Sequence, residues 1–350
     1  MKALILCCPI VGRVSQDGER FHKMIDALSH CGIYGRYYNL YTKAQLHSIL
    51  LVEQFDIVFC AYDYTTGDSD EHLSIHAILD EKQIPYIGST ADTLELVLSK
   101  SGLKAKWCLN NVSTPPFFLV RKINEKVFGS DTLVQASDYP YILKPDREGN
   151  SRGLDESSIV FDLNTLESKL GDLLVLYHEV LVEKYLGLYS DFQEFTVAMI
   201  GNGHQKLLMP AEIILKHKKT LRIITTQNKE NHETQAFPVK DMELSRKLIT
   251  LAERAFEVAG VRDYSRCDLI LADGQLYVIE INGQPMIPDK WFEVCASGVG
   301  LEPTQYINAI FLAGIVRNMG EGNANLTIPL EMRKNLPEPI LDLILKQTKF

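Results

Sequence analysis

The sequence predicts an α/β protein, with a doubly wound parallel sheet at the amino terminus and two α+β subdomains after it. Strand-like apolar runs alternate with amphipathic stretches over the first hundred residues, and beyond Ser113-Thr114-Pro115-Pro116 strands and helices mix. In order, strands are expected at 2–8, 34–40, 56–61 and 84–88, with helices around 19–31, 42–52 and 70–82 between them. One long helix, 90–110, closes this unit. No Gly-x-Gly-x-x-Gly follows the first strand, so the dinucleotide fingerprint is absent. The last thirty residues, with Pro329, Pro337 and Pro339, read as a peripheral extension ending in a short helix. The expected units are 1–112, 113–186, 187–320 and the extension 321–350.

At 350 residues and 46% hydrophobic content, the chain is long enough for two or three domains. A net charge of −9 argues against a nucleic-acid partner, which needs a basic stripe. No apolar run approaches the ~20 residues that cross a bilayer, so no membrane partner is expected. The start turns polar after Gly12 and lacks a cleavage site. Seven cysteines, none in a Cys-x-x-Cys pair, fit reduced thiols and a cytoplasmic location.

The most informative stretch is 264–285, a hairpin turned at Asp273-Gly274. Alternation puts Arg266, Asp268 and Ile270 on one face of its first strand, and Leu276, Val278, Glu280 and Asn282 on one face of its second. A two-residue loop would set Asp268 opposite Ile279 and turn Glu280 away. An odd loop, with Gly274 in a left-handed bulge position, brings Asp268, Glu280 and Asn282 together, and this is the register expected. Two carboxylates and an amide oxygen suit a hard cation, Mg²⁺ or Mn²⁺. The flanking strands are too apolar for a hairpin bathed in solvent.

A second site follows the strand Tyr141-Ile142-Leu143-Lys144-Pro145. Pro145 stops the strand, and a polar loop holding Glu148, Gly149, Ser151 and Gly153 comes next. Glycines let backbone amides close on anionic oxygens, and Lys144 adds a point charge for phosphate. The same letters spell Gly-x-Ser-x-Gly, a serine-hydrolase elbow, but that motif needs an apolar strand directly before it and a helix directly after. Here Asp146-Arg147-Glu148 precedes and Asp155-Glu156 follows. A third piece, Val182-Glu183-Lys184-Tyr185-Leu186, is a strand end whose unpaired backbone suits the edge of adenine. Glu194 lies a loop further on, where it can accept ribose hydroxyls.

In this order the motifs resemble the ATP-grasp superfamily and, within it, D-alanine–D-alanine ligases, from about residue 84 to 285. The resemblance rests on Ile84-Pro85-Tyr86-Ile87-Gly88-Ser89, Lys144-Pro145-x-Arg147-Glu148-Gly149, Glu194-Phe195-Thr196-Val197 and Glu280-x-Asn282-x-x-Pro285. It implies an ATP-grasp fold in which two subdomains clamp ATP. It also implies that Lys100 and Lys144 contact the α- and β-phosphates, that Glu183, Lys184, Tyr185 and Leu186 form the adenine hinge, and that Glu194 holds the ribose. Ser151 would sit on the loop over the phosphates, Lys229 would reach the γ-phosphate, and Asp268, Glu280 and Asn282 would bind Mg²⁺. Arg266 would stabilise an oxyanion. A homodimer is expected on the same ground.

The implied activity is ATP-dependent ligation of an amino acid to an acceptor through an acyl phosphate. The departures concern substrate. D-Alanine ligases follow the last proline with glycine and small hydroxylated residues, where Pro285 is followed by Met286-Ile287-Pro288-Asp289-Lys290-Trp291. Two amino-terminal signatures are also replaced, by Cys7-Cys8-Pro9-Ile10-Val11-Gly12 and by Tyr62-Asp63-Tyr64-Thr65-Thr66-Gly67-Asp68-Ser69. A specialised-metabolite amino-acid ligase is therefore expected ahead of D-alanyl-D-alanine synthesis. A mycosporine-glycine ligase and an ATP-binding protein without catalysis are the alternatives.

Overall fold

The computed structural model describes residues 1–7, 14–61, 64–66, 72–123, 126–129, 138–149, 151–216, 221–225, 227–228 and 231–346. Lys229, Cys8 to Gly12, Tyr62, Asp63 and Gly67 to Ser69, all singled out above, lie outside them.

The amino-terminal unit runs β1 (Lys2–Cys7), α1 (Val14–Ser29), β2 (Tyr34–Asn39), α2 (Lys43–Val52), β3 (Ile57–Cys60), a small hairpin of β4 (Tyr64–Thr66) and β5 (His72–Ser74), α3 (Ile75–Glu81) and β6 (Tyr86–Ile87). Strands β2-β1-β3-β6 form a parallel sheet. Strand β3 and all of β1 after Lys2 are buried, which is why they read as unbroken apolar runs. The helix expected over 70–82 starts only at Ile75, where Ser74 caps it.

The helix expected over 90–110 is two helices, α4 (Ala91–Leu98) and α5 (Lys100–Leu109). Ser99 between them is extended (φ −80°, ψ 101°), and its hydroxyl both accepts from Gly102 N (3.2 Å) and donates to Asp146 (2.8 Å). The break re-aims Lys100. Helix α5 also sends Leu103 and Trp107 into the core under the third sheet.

The second sheet contains β7 (Phe117–Ile123), β8 (Lys126–Phe128), β9 (Tyr141–Pro145), β10 (Ile159–Val160) and β11 (Glu179–Lys184), in the antiparallel order β10-β9-β11-β7-β8. Helix α6 (Leu163–Leu176) packs on it through Leu166, Leu170, Leu173 and Leu174, one stripe at helical spacing. The third sheet, β14-β13-β12-β15-β16, comprises β12 (Gln193–Asn202), β13 (Gln205–Leu215), β14 (Thr234–Pro238), β15 (Tyr264–Ala272) and β16 (Gln275–Asn282). Helix α7 (Met242–Ala259), capped by Asp241 and stopped at Gly260 (φ 81°), covers it with Leu248, Ala252, Ala255 and Phe256.

Four helices complete the chain: α8 (Lys290–Ser297), α9 (Pro303–Gly320), α10 (Leu330–Asn335) and α11 (Glu338–Leu345). The largest core joins β1, β3 and α1 to α8 and α9, and takes in Met332 from α10, Ile340 and Ile344 from α11, and Leu336 between them. The carboxyl-terminal segment is thus packed core, which corrects the expectation of a peripheral extension. Pro337 and Pro339 sit at the start of α11, where a missing N–H costs nothing. Among the described residues no helix is long and apolar enough to cross a membrane.

Candidate active site

The hairpin β15–β16 carries the acidic pair. Asp268 lies directly opposite Glu280, and Arg266 opposite Asn282. The turn is not the odd loop expected. Ala272 pairs with Gln275, leaving a two-residue Asp273-Gly274 connection with φ of 51° and 69°, the left-handed pair of a type I′ turn. The extra residue is absorbed further along, where the ladder steps from Leu269–Val278 to Asp268–Glu280 and leaves Ile279 as a bulge. The pairing is as expected; the device that makes it is different.

Thr196 on β12 donates to Asp268 Oδ1 at 2.6 Å, and Arg266 Nε lies 3.5 Å from the same oxygen. Asp268 and Glu280 line a cleft between the second and third sheets, while Asn282 is exposed, lies off the cleft wall and accepts from Gln284 N (3.3 Å). Among the described residues no group of three or more His, Cys, Asp or Glu gathers. Two oriented carboxylates leave most of an octahedral shell to water and phosphate oxygens, a donor set that fits Mg²⁺.

Cations face them from the second sheet and α5. Lys144 on β9 lies 2.5 Å from Glu183 Oε1, and Lys104 Nζ lies 2.6 Å from Oε2. Glu183 and Lys104 are buried, 2% and 1% exposed. Burial alone would raise the Glu183 carboxyl, but Lys104 and Lys144 together hold it below the usual carboxylate range. The sequence reading missed Lys104. Its signal is the spacing from Lys100, four residues on the same helix face.

Lys100 Nζ donates to the backbone carbonyls of Asp146 (3.3 Å) and Glu148. Burial lowers its pKa, opposed chiefly by the charge of Glu280. Asp146, fully buried, accepts from Ser101 N (2.7 Å) and Ser99 Oγ (2.8 Å), and so fixes the loop to the start of α5. Glu148 and Ser151 line the cleft, Ser151 at φ 59°. Gly153 (φ 73°) is required: a Cβ there would lie 2.9 Å from Pro145 Cγ. Gly149 is off the cleft wall, with nothing within 4 Å of a Cβ built on it. No α-helix directly follows Gly153: a short 3₁₀ turn at Glu156–Ser158 and strand β10 come before α6, so the nucleophile-elbow geometry is absent.

At the end of β11, Lys184 N donates to Pro116 O (2.8 Å) and Tyr185 N to Pro140 O (3.0 Å), so these two amides are not the unpaired ends expected. Glu183, Lys184, Tyr185 and Leu186 line the cleft together with Ile142, Phe192 and Ile223, an apolar slot. Glu194, at the start of β12, lines it too. Arg222, absent from the sequence reading, also reaches the wall; its amide donates to Tyr185 Oη at 2.7 Å and its guanidinium lies over Phe192 (5.3 Å).

Arg266 lies off the cleft wall, packed under Trp291, whose ring centroid is 4.9 Å from the guanidinium and which does line the cleft. Arg266 Nη1 reaches Asp289 Oδ1 at 3.0 Å, and that oxygen also accepts Phe292 N (2.8 Å) as the cap of α8. One cleft therefore gathers Lys100, Lys144, Glu148, Ser151, Glu183 to Leu186, Glu194, Asp268 and Glu280. Gly149, Arg266 and Asn282 stand off its wall.

The family model described as D-ala D-ala ligase C-terminus matches residues 109–311. A D-alanine–D-alanine ligase of Cupriavidus taiwanensis is 25% identical over 270 residues, 74% of this chain and 76% of the relative. That of Pseudothermotoga lettingae is 26% identical over 267 residues, 75% and 83%. The crystal structure of D-alanine–D-alanine ligase from Bacillus anthracis superposes with a TM-score of 0.74 at 20% identity, over 92% of this chain and 100% of that one. The same enzyme complexed with ATP gives 0.72 at 19%. With more than half of its length matched, the chain belongs to the D-alanine–D-alanine ligase family and is an ATP-dependent, ADP-forming carbon–nitrogen ligase of the ATP-grasp fold.

Proposed function

We propose that the cleft binds Mg-ATP and that the chain couples an amino acid, activated at its carboxylate, to an acceptor other than D-alanine. The carrying observation is the convergence of Lys100 and Lys144 with Asp268 and Glu280 on one cleft beside an apolar slot. The adenine occupies that slot against Ile142 and Leu186, and Glu194 takes the ribose. Lys100 and Lys144 neutralise phosphate oxygens, and Glu148 and Ser151 belong to the loop above them. Asp268 and Glu280, with Asn282 two pairs further along the hairpin, would hold Mg²⁺, which when bound offsets charge on the transferring phosphoryl group.

A carboxylate does not acylate an amine at neutral pH, because oxide would have to leave. Attack of the carboxylate on the γ-phosphorus expels ADP and gives an acyl phosphate, whose phosphate leaves when an amine attacks the carbonyl carbon. We assign the developing oxyanion to Arg266, permanently protonated and planar; because it pairs with Asp289 under Trp291, that role requires Trp291 and the Asp289 pair to give way when substrates bind. The sequence past Pro285 supports a non-alanine acceptor, since Met286-Ile287-Pro288-Asp289-Lys290-Trp291 stands where glycine and small hydroxylated residues are expected.

The test is hydroxylamine trapping. With Mg-ATP and a panel of D- and L-amino acids, we expect amino-acid-dependent hydroxamate and equimolar ADP. D-Alanine alone is expected to give no dipeptide. D-Alanyl-D-alanine formed as the preferred product would restore the wall-synthesis reading.

A further inference from the structure

Resting on the Mg-ATP reading of the cleft, we propose that Tyr185 gates nucleotide exchange: its hydroxyl ties the adenine hinge to a strap at 221–225, and the base passes only when that tie opens. The strap belongs to the connection between β13 and β14 of the third sheet, yet it reaches across to the second. There Tyr185 Oη accepts Arg222 N at 2.7 Å and donates to Arg222 O at 3.1 Å, a reciprocal pair on one residue's backbone. Ile223, 5% exposed, packs with Ile142 and Ile159 of the second sheet and with Tyr185 itself. Arg222 and Ile223 thereby wall the same cleft as Ile142, Tyr185 and Leu186, so two subdomains build the apolar slot.

The local sequence is fitted to this tie. A Cβ at Gly187 would collide with Tyr185 Oη and its ring, so the side chain folds back over its own backbone only because glycine stands there. Burial pushes the Tyr185 phenol up to about 12, so at neutral pH it keeps the proton it donates while it accepts from Arg222. The side chain of Arg222 is held separately. Its Nη1 donates to Phe192 O (2.9 Å), and the neighbouring Asp191 accepts both turn amides of the β15–β16 hairpin, Asp273 N at 2.9 Å and Gly274 N at 2.7 Å. With that side fixed, the strap parts from the hinge where Tyr185 Oη lets go and Ile223 lifts from Ile142 and Ile159.

The consequence is kinetic. Both partners in the tie are protein groups, so it forms with or without a base in the slot. Opening it is a barrier to entry and to exit alike. A side chain that only touched the base would slow exit and leave entry as it is.

The experiment follows a fluorescent ADP with Mg²⁺ binding to and leaving the full chain by stopped flow. Tyr185→Phe keeps the ring and removes both hydrogen bonds. We expect association and dissociation each to quicken about fivefold, the scale of one neutral hydrogen bond, while Kd moves less than about twofold. Gly187→Ala, which keeps the hydroxyl but displaces the ring, should quicken both rates as well. Urea unfolding checks that each variant is folded under the assay conditions. Faster dissociation with unchanged association would make Tyr185 a contact to the base and overturn the gate. So would rates for both variants within about twofold of the unaltered protein. Failure of the unaltered protein to bind the labelled ADP would instead remove the Mg-ATP reading, and the gate with it.

Discussion

Asp263 and Glu183 are both buried carboxylates held by cations, yet only Glu183 touches the cleft. Asp263 (φ 64°) receives Arg317 Nε and Nη2, both at 2.8 Å, Gly88 N at 2.8 Å and Asn202 Nδ2 at 3.0 Å. Arg317 continues to Tyr86 O (2.7 Å) and Glu321 (2.6 Å). The cluster stitches the end of the parallel sheet to β12, β15 and α9, and its bonding is directed wholly at protein. Glu183 instead holds Lys104, which is sealed in, and Lys144, which is 12% exposed and lines the cleft. Here an incoming phosphate can compete for a cation that the protein has desolvated in advance. Similar burial thus serves a seam in one place and a ligand site in the other.

The seam should show the larger stability effect. Removing one partner of a buried charge pair costs roughly 3–5 kcal/mol, because the other is left unpaired. Asp263→Ala is expected to lower the unfolding free energy obtained from urea denaturation by that amount, with nucleotide affinity of the folded fraction unchanged. Arg317 and the amide donors hold the Asp263 carboxyl below the usual range against the cost of burial. Its contribution is therefore present above the unfolded carboxylate value of ~3.9 and is lost as pH falls through the lower folded value. The difference in stability between the two proteins should close at acid pH. A loss under about 1 kcal/mol at neutral pH would mean that the seam is not charge-bound.

Next comes chemistry at the site. Loss of one donor to a developing oxyanion costs about 3 kcal/mol of barrier, roughly a hundredfold in rate. Arg266→Ala should reduce product formation on that order while ATP binding, followed by fluorescent-nucleotide displacement, changes little. Unchanged turnover would remove Arg266 from the mechanism and leave it a partner of Asp289 and Trp291.

Both regions were partly legible beforehand. Lys144-Pro145 and the Asp268, Glu280 and Asn282 set stand out because charge interrupts apolar strands. Their register was harder. Ile279 looks like any strand residue, and nothing local says that the ladder slips there rather than at the turn. Ser99 sits inside an uninterrupted helical periodicity, so the break that aims Lys100 depends on Asp146, 47 residues away. The prolines near the carboxyl end read as irregularity, although at helix starts they are compatible with a packed core. Lys104 is a lysine on a helix, and by composition belongs to solvent. Only the partner Glu183, contributed by another sheet, makes its burial possible. Long-range pairing is what the sequence hides.

Lys104 also gives the sharpest test of the comparison, though the smallest effect. If Glu183 serves mainly to hold Lys144 ready for phosphate, stability and ligand binding should separate. Glu183→Gln removes the charge and leaves two buried lysines without a counter-ion, so it should cost stability and weaken ATP together. Adding Lys104→Met removes the sealed-in cation and puts a flexible apolar chain of similar length against Trp107 and Phe117, which flank its ammonium at 6.0 Å each. The double variant should regain most of the urea midpoint lost by Glu183→Gln yet keep an ATP KM raised about tenfold, equivalent to roughly 1.4 kcal/mol. Recovery of both would make the triad a structural pair like Asp263 and Arg317. Recovery of stability alone separates the two clusters, because a repacked interior cannot restore the placement of Lys144.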